Sequence, residues 1–149
     1  MSGFNIRGVT PTDVPALASM SDALGRFHDE TTKADPVALH RDLFAAPPWV
    51  WGLIAEAGAQ PIGYALMLPT AQVQHARRGI DLHHLYVAPD WRGKGVGRAL
   101  MTTVETHART LHCSYVTIGT DPQNISAQVA YESLGYIRRA PGPRFSKQL

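Results

Sequence analysis

"LHHLYVAPDWRGKGVGRALM", residues 82–101, decides how the chain is read. It opens as the end of a hydrophobic strand, residues 79–89, which stops at Pro89 because proline has no N–H to give a sheet ladder. It closes as the start of a long amphipathic helix, in which Val96, Leu100, Val104, Ala108 and Leu111 recur at helical spacing. Between strand and helix stand three glycines, Gly93, Gly95 and Gly97, and three basic side chains, Arg92, Lys94 and Arg98. A glycine turn running into a helix presents backbone N–H groups, and the helix dipole favours negative charge there. The turn is therefore a candidate anion cradle.

Two nucleotide readings of that turn fail. A P-loop needs Ser or Thr after Gly-Lys to reach magnesium, whereas Gly93-Lys94-Gly95 runs on into Val96. A dinucleotide fingerprint needs glycine or alanine where Arg98 stands, and an acidic residue about 20 positions later at a strand end.

Working outward, "FNIRGVT" reads as a first strand, followed by a helix with Thr12 as its cap, Leu17, Met20 and Leu24 on one stripe, and an end near residues 25–28. "DPVALHRDLF" is a second helix, with Asp35 as cap and Pro36 at its first position. "WVWGLIAEA" and "PIGYALML" are strands separated by a hairpin-like "GAQ". After the central helix, "SYVTIGT" is strand-like, Asn124 starts a helix holding Ala127, Ala130, Tyr131 and Leu134, Gly135 stops it, and "YIRR" resumes extended structure. Three consecutive strands in the middle pair most easily antiparallel, so the expected class is a mixed α/β (α+β) sheet domain and not a doubly wound parallel one.

The 149 residues suit a single domain over 1–149. With 44% hydrophobic and 17% charged residues the composition is that of an ordinary globular chain. A net charge of +2 sets up no strong field to recruit nucleic acid, but the cations cluster at Arg77 and Arg78, around the glycines, and at Arg138, Arg139, Arg144 and Lys147. Such clustering fits a local anion site better than a DNA-binding face. Cys113, alone, has no partner for a disulfide or a zinc motif and is expected to be a small buried hydrophobe. The first ten residues lack a basic segment followed by an apolar stretch, and no run approaches the roughly 18 apolar residues of a membrane span. The expected location is cytoplasmic, away from membranes.

The stretch 82–101 resembles the core motif of the GNAT superfamily of acetyl-CoA-dependent N-acetyltransferases, in which Arg or Gln, two residues, Gly, one residue, and Gly or Ala form the pyrophosphate loop; Arg92, Gly95 and Gly97 match it. "NISAQVAYESLGY" resembles the family's later motif, with Asn124 and Tyr131 facing the cofactor. The resemblance implies a mixed, mostly antiparallel sheet of six to seven strands with about four helices, splayed in the middle to hold acyl-CoA. It also implies acetyl-CoA as acyl donor, an amine of a small molecule or peptide as acceptor, and no metal; homodimers are common in the family. Residues 92–98 would hold the phosphates. The pantetheine arm would pair with the backbone of Leu85 and Val87, and the N–H of Val87 would hold the thioester oxygen as it becomes an oxyanion.

An alkyl amine arrives protonated, so a base is needed. On a regular strand Asp81, His83, Leu85 and Val87 share one face and Leu82, His84 and Tyr86 the other. His83 is the first choice of base, its reference pKa of about 6.5 standing above the aspartate's 3.9, with Asp81 orienting it or attracting the ammonium. Neighbours on a strand point oppositely, which argues against a zinc site at His83-His84. Tyr131 is the candidate donor to the departing thiolate, two helical turns from Asn124. "ALHRDLF" and the frame "L..L.V" have a fainter likeness to the diamine and thialysine branch, but His83-His84 replaces the Glu-Asp that would hold a dication. Phe27, His28, Asp29, Glu30, Trp49 and Trp51 are candidate acceptor-lining residues. Two further readings stand beside the enzyme: a catalytically weak acyl-CoA-binding regulatory module, and transfer from a different acyl-CoA.

Overall fold

The computed structural model describes residues 3–27, 33–140 and 142–149, in two compact units, Met1–Gly119 and Thr120–Leu149. The first unit is built on β1 (Asn5–Gly8), α1 (Val14–Phe27), α2 (Pro36–Phe44), β2 (Trp51–Ala57), β3 (Gln60–Gln72), β4 (Arg77–Val87), α3 (Val96–Thr110) and β5 (Tyr115–Ile118). Its sheet has the order β1-β2-β3-β4-β5, antiparallel except for the parallel β4–β5 pair, as the run of three central strands led us to expect. The second unit holds α4 (Ile125–Ser133). Among the described residues no helix is long and apolar enough to cross a membrane.

The N-terminal cap lies earlier than Thr12. Thr10 gives both its N–H (2.7 Å) and its hydroxyl (3.1 Å) to the Asp13 carboxylate, which closes a short 3-10 turn before α1 starts at Val14. Asp13 wins because it also meets Arg7, whose guanidinium reaches it at 2.7 and 2.9 Å and reaches Glu56 at 3.1 and 3.2 Å. One cation thereby ties β1, the start of α1 and β2. The guanidinium holds the Asp13 carboxyl down at about 2. Asp35 caps α2 as expected, accepting from the Val37 N–H at 2.9 Å.

The two sheet faces carry different helices. Tyr64, Leu66 and Tyr86 pack with Leu17 of α1 and Leu43 of α2. On the other face α3 buries Val96, Leu100, Met101, Val104 and Ala108, the stripe that sequence periodicity marked out. Leu100 is fully enclosed, so its removal to alanine would cost about 2–5 kcal/mol. Cys113 is only half-buried, at the turn after α3, where the chain must surface to enter β5.

Five strands are present among the described residues, against the six to seven expected. Tyr136–Arg139 joins no ladder: Ile137 stays 75% exposed and Arg138 turns back to Glu132 at 2.8 Å. Ile137, followed by two arginines, gives that segment little to bury.

A bulge shapes β4. Leu66 pairs with His84 but Met67 pairs with Leu82, so His83 is an extra residue without a partner on β3. The pleat therefore changes phase at His83. Leu82 falls on the α3 side with Leu85 and Val87, and Asp81 on the opposite side with His84 and Tyr86. The expected grouping of Asp81 with Leu85 and Val87 fails for this reason.

Candidate active site

β4 leads through a 3-10 turn, Pro89–Trp91, into the glycine loop and α3. Gly93 and Gly95 have φ of +75° and +87°, and a Cβ at either would meet nothing within 4 Å. Glycine is required here for backbone conformation and not for space. Gly95 caps α3, whose first helical bond runs from Ala99 N–H to Gly95 O at 3.0 Å. The N–H groups ahead of Ala99 consequently lack an i−4 carbonyl within the helix. Arg92, Lys94 and Arg98 are exposed around this end. Lys94 Nζ lies 5.2 Å from the Trp91 ring centre, and the Arg92 guanidinium lies 5.3 Å from that of Phe27.

Beside the loop, the sheet opens. β5 pairs with β4 only from Gly79↔Tyr115 to Leu82↔Ile118, and β4 continues to Val87 with no ladder on that side among the described residues. Ala88 N–H donates to Ile62 O at 2.8 Å, so on the β3 side the bonded residues are Ala88 and, by alternation, Tyr86. The backbone groups of Leu85 and Val87 then face the open edge. Arg92 Nε donates to the Val87 carbonyl there at 3.0 Å. Loop and edge are thus one structure.

At the bulge, the His83 and His84 rings stack, with centres 4.6 Å apart and planes 14° apart. They do not point oppositely as a regular strand would require. His83 is exposed; the half-buried His84 has its Nδ1 3.1 Å from the Tyr64 hydroxyl. Burial pushes the Tyr64 phenol well above its usual range, and Ser21 also bonds to it. Asp81 does not pair with His83. Its carboxylate accepts from the Thr117 hydroxyl at 2.7 Å, across to β5. Tyr64 is the residue that sequence reasoning missed, since its partner lies 20 positions away on another strand.

Asn124 and Tyr131 belong to the second unit. The Asn124 side chain accepts from Ala127 N–H at 3.2 Å, so it is the cap of α4 as expected. Seven residues later Tyr131 falls on the same side of the helix; it is half-buried, and burial raises its phenol above the ordinary value. Gly135, at φ +92°, ends the turn, and Leu134 and Tyr136 donate their N–H groups to the Tyr131 carbonyl at 3.1 Å each.

Of the acceptor-lining candidates, Phe27 lies with Arg92, and Trp49 is 75% exposed. Trp51 packs edge-on against His107 of α3, with ring centres 5.6 Å apart, on the face opposite Tyr64 and His84. His28, Asp29 and Glu30 lie outside the described residues. Among the described residues no group of three or more metal-binding side chains occurs.

The sequence model of the Acetyltransferase (GNAT) family matches residues 17–136. An uncharacterised N-acetyltransferase, YhfO of Bacillus subtilis, is 32% identical over 142 residues, covering 89% of each chain. N-acetyltransferase 8B of Rattus norvegicus is 32% identical over 83 residues, 56% of this chain; that match spans only 37% of the rat protein. Among solved structures, an aminoglycoside acetyltransferase from an uncultured soil metagenomic sample superimposes with a TM-score of 0.81 at 16% identity, covering 98% of this chain and 96% of that one.

Proposed function

This chain belongs to the GNAT family of acetyltransferases, and on that premise we propose that it transfers the acetyl group of acetyl-CoA to a primary amine of a small molecule or peptide. The observation that carries the proposal is the open edge of β4 beside the glycine loop. An arm with amide groups can pair with the backbone of Leu85 and Val87 while its phosphates sit on the loop N–H groups among Arg92, Lys94 and Arg98. Neither half would suffice alone: the loop selects an anion, and the edge selects an extended amide chain attached to it.

In this reading the amine attacks the thioester carbon directly. The Val87 N–H on the open edge stabilises the oxygen as it gains charge. His83, exposed at the bulge, takes the proton from the ammonium; Asp81, held by Thr117 away from it, attracts the cation and does not orient the imidazole. The resemblance at residues 124–136 assigns Tyr131 as donor to the leaving thiolate and Asn124 as a cofactor contact. Because burial keeps the phenol protonated, Tyr131 serves as a hydrogen-bond donor throughout the neutral range. We take residues 1–149 as one acetyltransferase domain, cytoplasmic and working as a monomer or homodimer. A polyamine acceptor is disfavoured, since His83-His84 supplies no negative charge for a dication. Aminoglycosides enter the acceptor panel through the structural likeness above.

The test is thiol release from acetyl-CoA across amines, peptides and aminoglycosides, with wild type and His83→Ala compared over pH. We expect turnover with a primary amine, and a loss in His83→Ala that deepens from alkaline pH down to neutrality, where free amine grows scarce while an imidazole can still accept a proton. A loss that is flat with pH removes His83 from the base role. Acetyl-CoA binding without turnover on any acceptor indicates a regulatory acyl-CoA-binding module instead.

A further inference from the structure

A cavity of about 820 Å³ lies at the far end of β4 from the glycine loop, between the start of that strand and the end of α3. Its nearest lining residue on β4, Ile80, is separated from Val87 by roughly 23 Å along the strand, seven residues at about 3.3 Å each. Its size falls in the range of small-molecule sites. Trp51, Leu111 and Cys113 contribute apolar walls, and the charged residues lining it among those described are Arg77 and Arg78.

The two arginines are positioned. Arg77 lies over the Tyr115 ring, 4.9 Å from its centre, and donates from Nε to the Ser114 hydroxyl at 3.2 Å. Arg78 donates from Nη1 to the Leu111 carbonyl at 3.1 Å. Gly79, between these arginines and Ile80, is hemmed in, because a Cβ there would run into the Tyr115 ring. Neither guanidinium has a carboxylate partner among the described residues, and each keeps donors to spare. Arg77 lies with Tyr115 on the Gly79 face of β4, whereas Arg78, the next residue, lies with Leu111 on the Ile80 face, so the mostly apolar groove against α3 presents one fixed cation without a carboxylate partner and prefers an apolar body carrying one negative group.

We propose that this cavity is a second ligand site, distinct from the acyl-donor slot, that takes a hydrophobic carboxylate. The aromatic or alkyl body lies against Trp51 and Leu111, and the carboxylate is held by Arg78. The inference does not depend on the acetyl-transfer reading.

The experiment titrates the full chain with 2-naphthoate and with its neutral counterpart 2-naphthamide, following backbone amide and Trp51 indole resonances. Saturable binding of 2-naphthoate is expected, about tenfold tighter than the amide, with shifts at Trp51, Gly79, Leu111 and Cys113 and none at residues 92–98. Arg78→Gln changes an exposed side chain only and should lose that tenfold preference, which Arg77→Gln should keep; Ala71→Trp should block both probes. The proposal is overturned by absence of saturable 2-naphthoate binding, by equal affinity for the two probes, by shifts centred on the glycine loop, or by wild-type binding in Arg78→Gln. Self-association that broadens the same resonances, doubling the mass in sedimentation, also overturns it, because the surface around the 84% exposed Val73 is then an interface between copies.

Discussion

Arg92 holds the carbonyl oxygen of Val87 through its Nε at 3.0 Å, while its guanidinium lies over the rings of Phe27 and Tyr86 at 5.3 and 6.0 Å. The side chain is thus already fixed at the junction of the open edge and the anion loop before any ligand arrives. Arg92→Ala removes both the charge and this anchoring, and should weaken acetyl-CoA binding about tenfold, with a smaller effect on kcat. Arg92→Lys should recover only part of the loss, since a lysine keeps the charge without the planar fork. Calorimetric titration of both variants with acetyl-CoA checks this; equal affinity in all three proteins would separate Arg92 from the phosphates.

Tyr131→Phe should lower kcat on the order of a hundredfold and leave acetyl-CoA affinity within about twofold, because the ring stays and only the proton donor goes. Burial raises the wild-type phenol above its ordinary 10.0, so ionisation of Tyr131 should leave no falling limb in the rate profile below that pH. An unchanged kcat in the variant would take Tyr131 out of the reaction.

Asp13 has a folded-state pKa of about 2 against 3.8 when unperturbed, chiefly through its bonds to Arg7. A lowered carboxylate contributes stability that is complete above pH 3.8 and is lost as the pH falls through 2. Asp13→Asn should therefore cost about 2 kcal/mol at neutral pH and flatten the acid limb of the stability curve. Urea unfolding from pH 7 downward measures both effects.

His107 Nε2 is buried with no hydrogen-bond partner among the described residues, and burial lowers the ring's pKa below 6.5. The charged form is the disfavoured one inside the fold, so stability should drop as the pH falls below 6.5 toward the folded value. His107→Phe keeps a ring against Trp51, should raise stability at pH 7 by about 1 kcal/mol, and should remove that slope. A thermal-melting series over pH distinguishes the two proteins.

Gly63 pairs with Val87, and a Cβ placed on it would sit 2.6 Å from the backbone oxygen of Tyr86. Gly63→Ala should force β3 and β4 apart at the open end, at a cost of about 1–3 kcal/mol, and should weaken acetyl-CoA binding as well. The control is Gly8→Ala, where a Cβ meets nothing within 4 Å and where neither effect is expected.

Some of this was legible in the sequence and some was not, for physical reasons. The glycine loop and α3 could be read because left-handed backbone and helical burial each demand particular residues at particular spacings, and Gly93, Gly95, Val96, Leu100 and Val104 meet those demands. The cap at Asn124 was legible for the same local reason. The bulge was not, because one surplus residue between two strands changes no composition and breaks no hydrophobic run. Missing it put Asp81 on the wrong face and set His83 and His84 apart when their rings stack. Thr12 was mistaken for the cap because the deciding interaction, Asp13 with Arg7, lies between two elements and not within one. Tyr64 could emerge only once the β3–β4 register was known.

The surplus residue at position 83 also bears on how such a protein can change over generations. Leu82 on one side of it and His84 on the other answer to different faces of the sheet, while residue 83 pairs with no one and lies in solvent. A substitution there disturbs neither packed layer. If the proposed role of His83 holds, the fold leaves that position free to be exchanged, so that acceptor and base could drift together while the glycine loop and the open edge stay as they are.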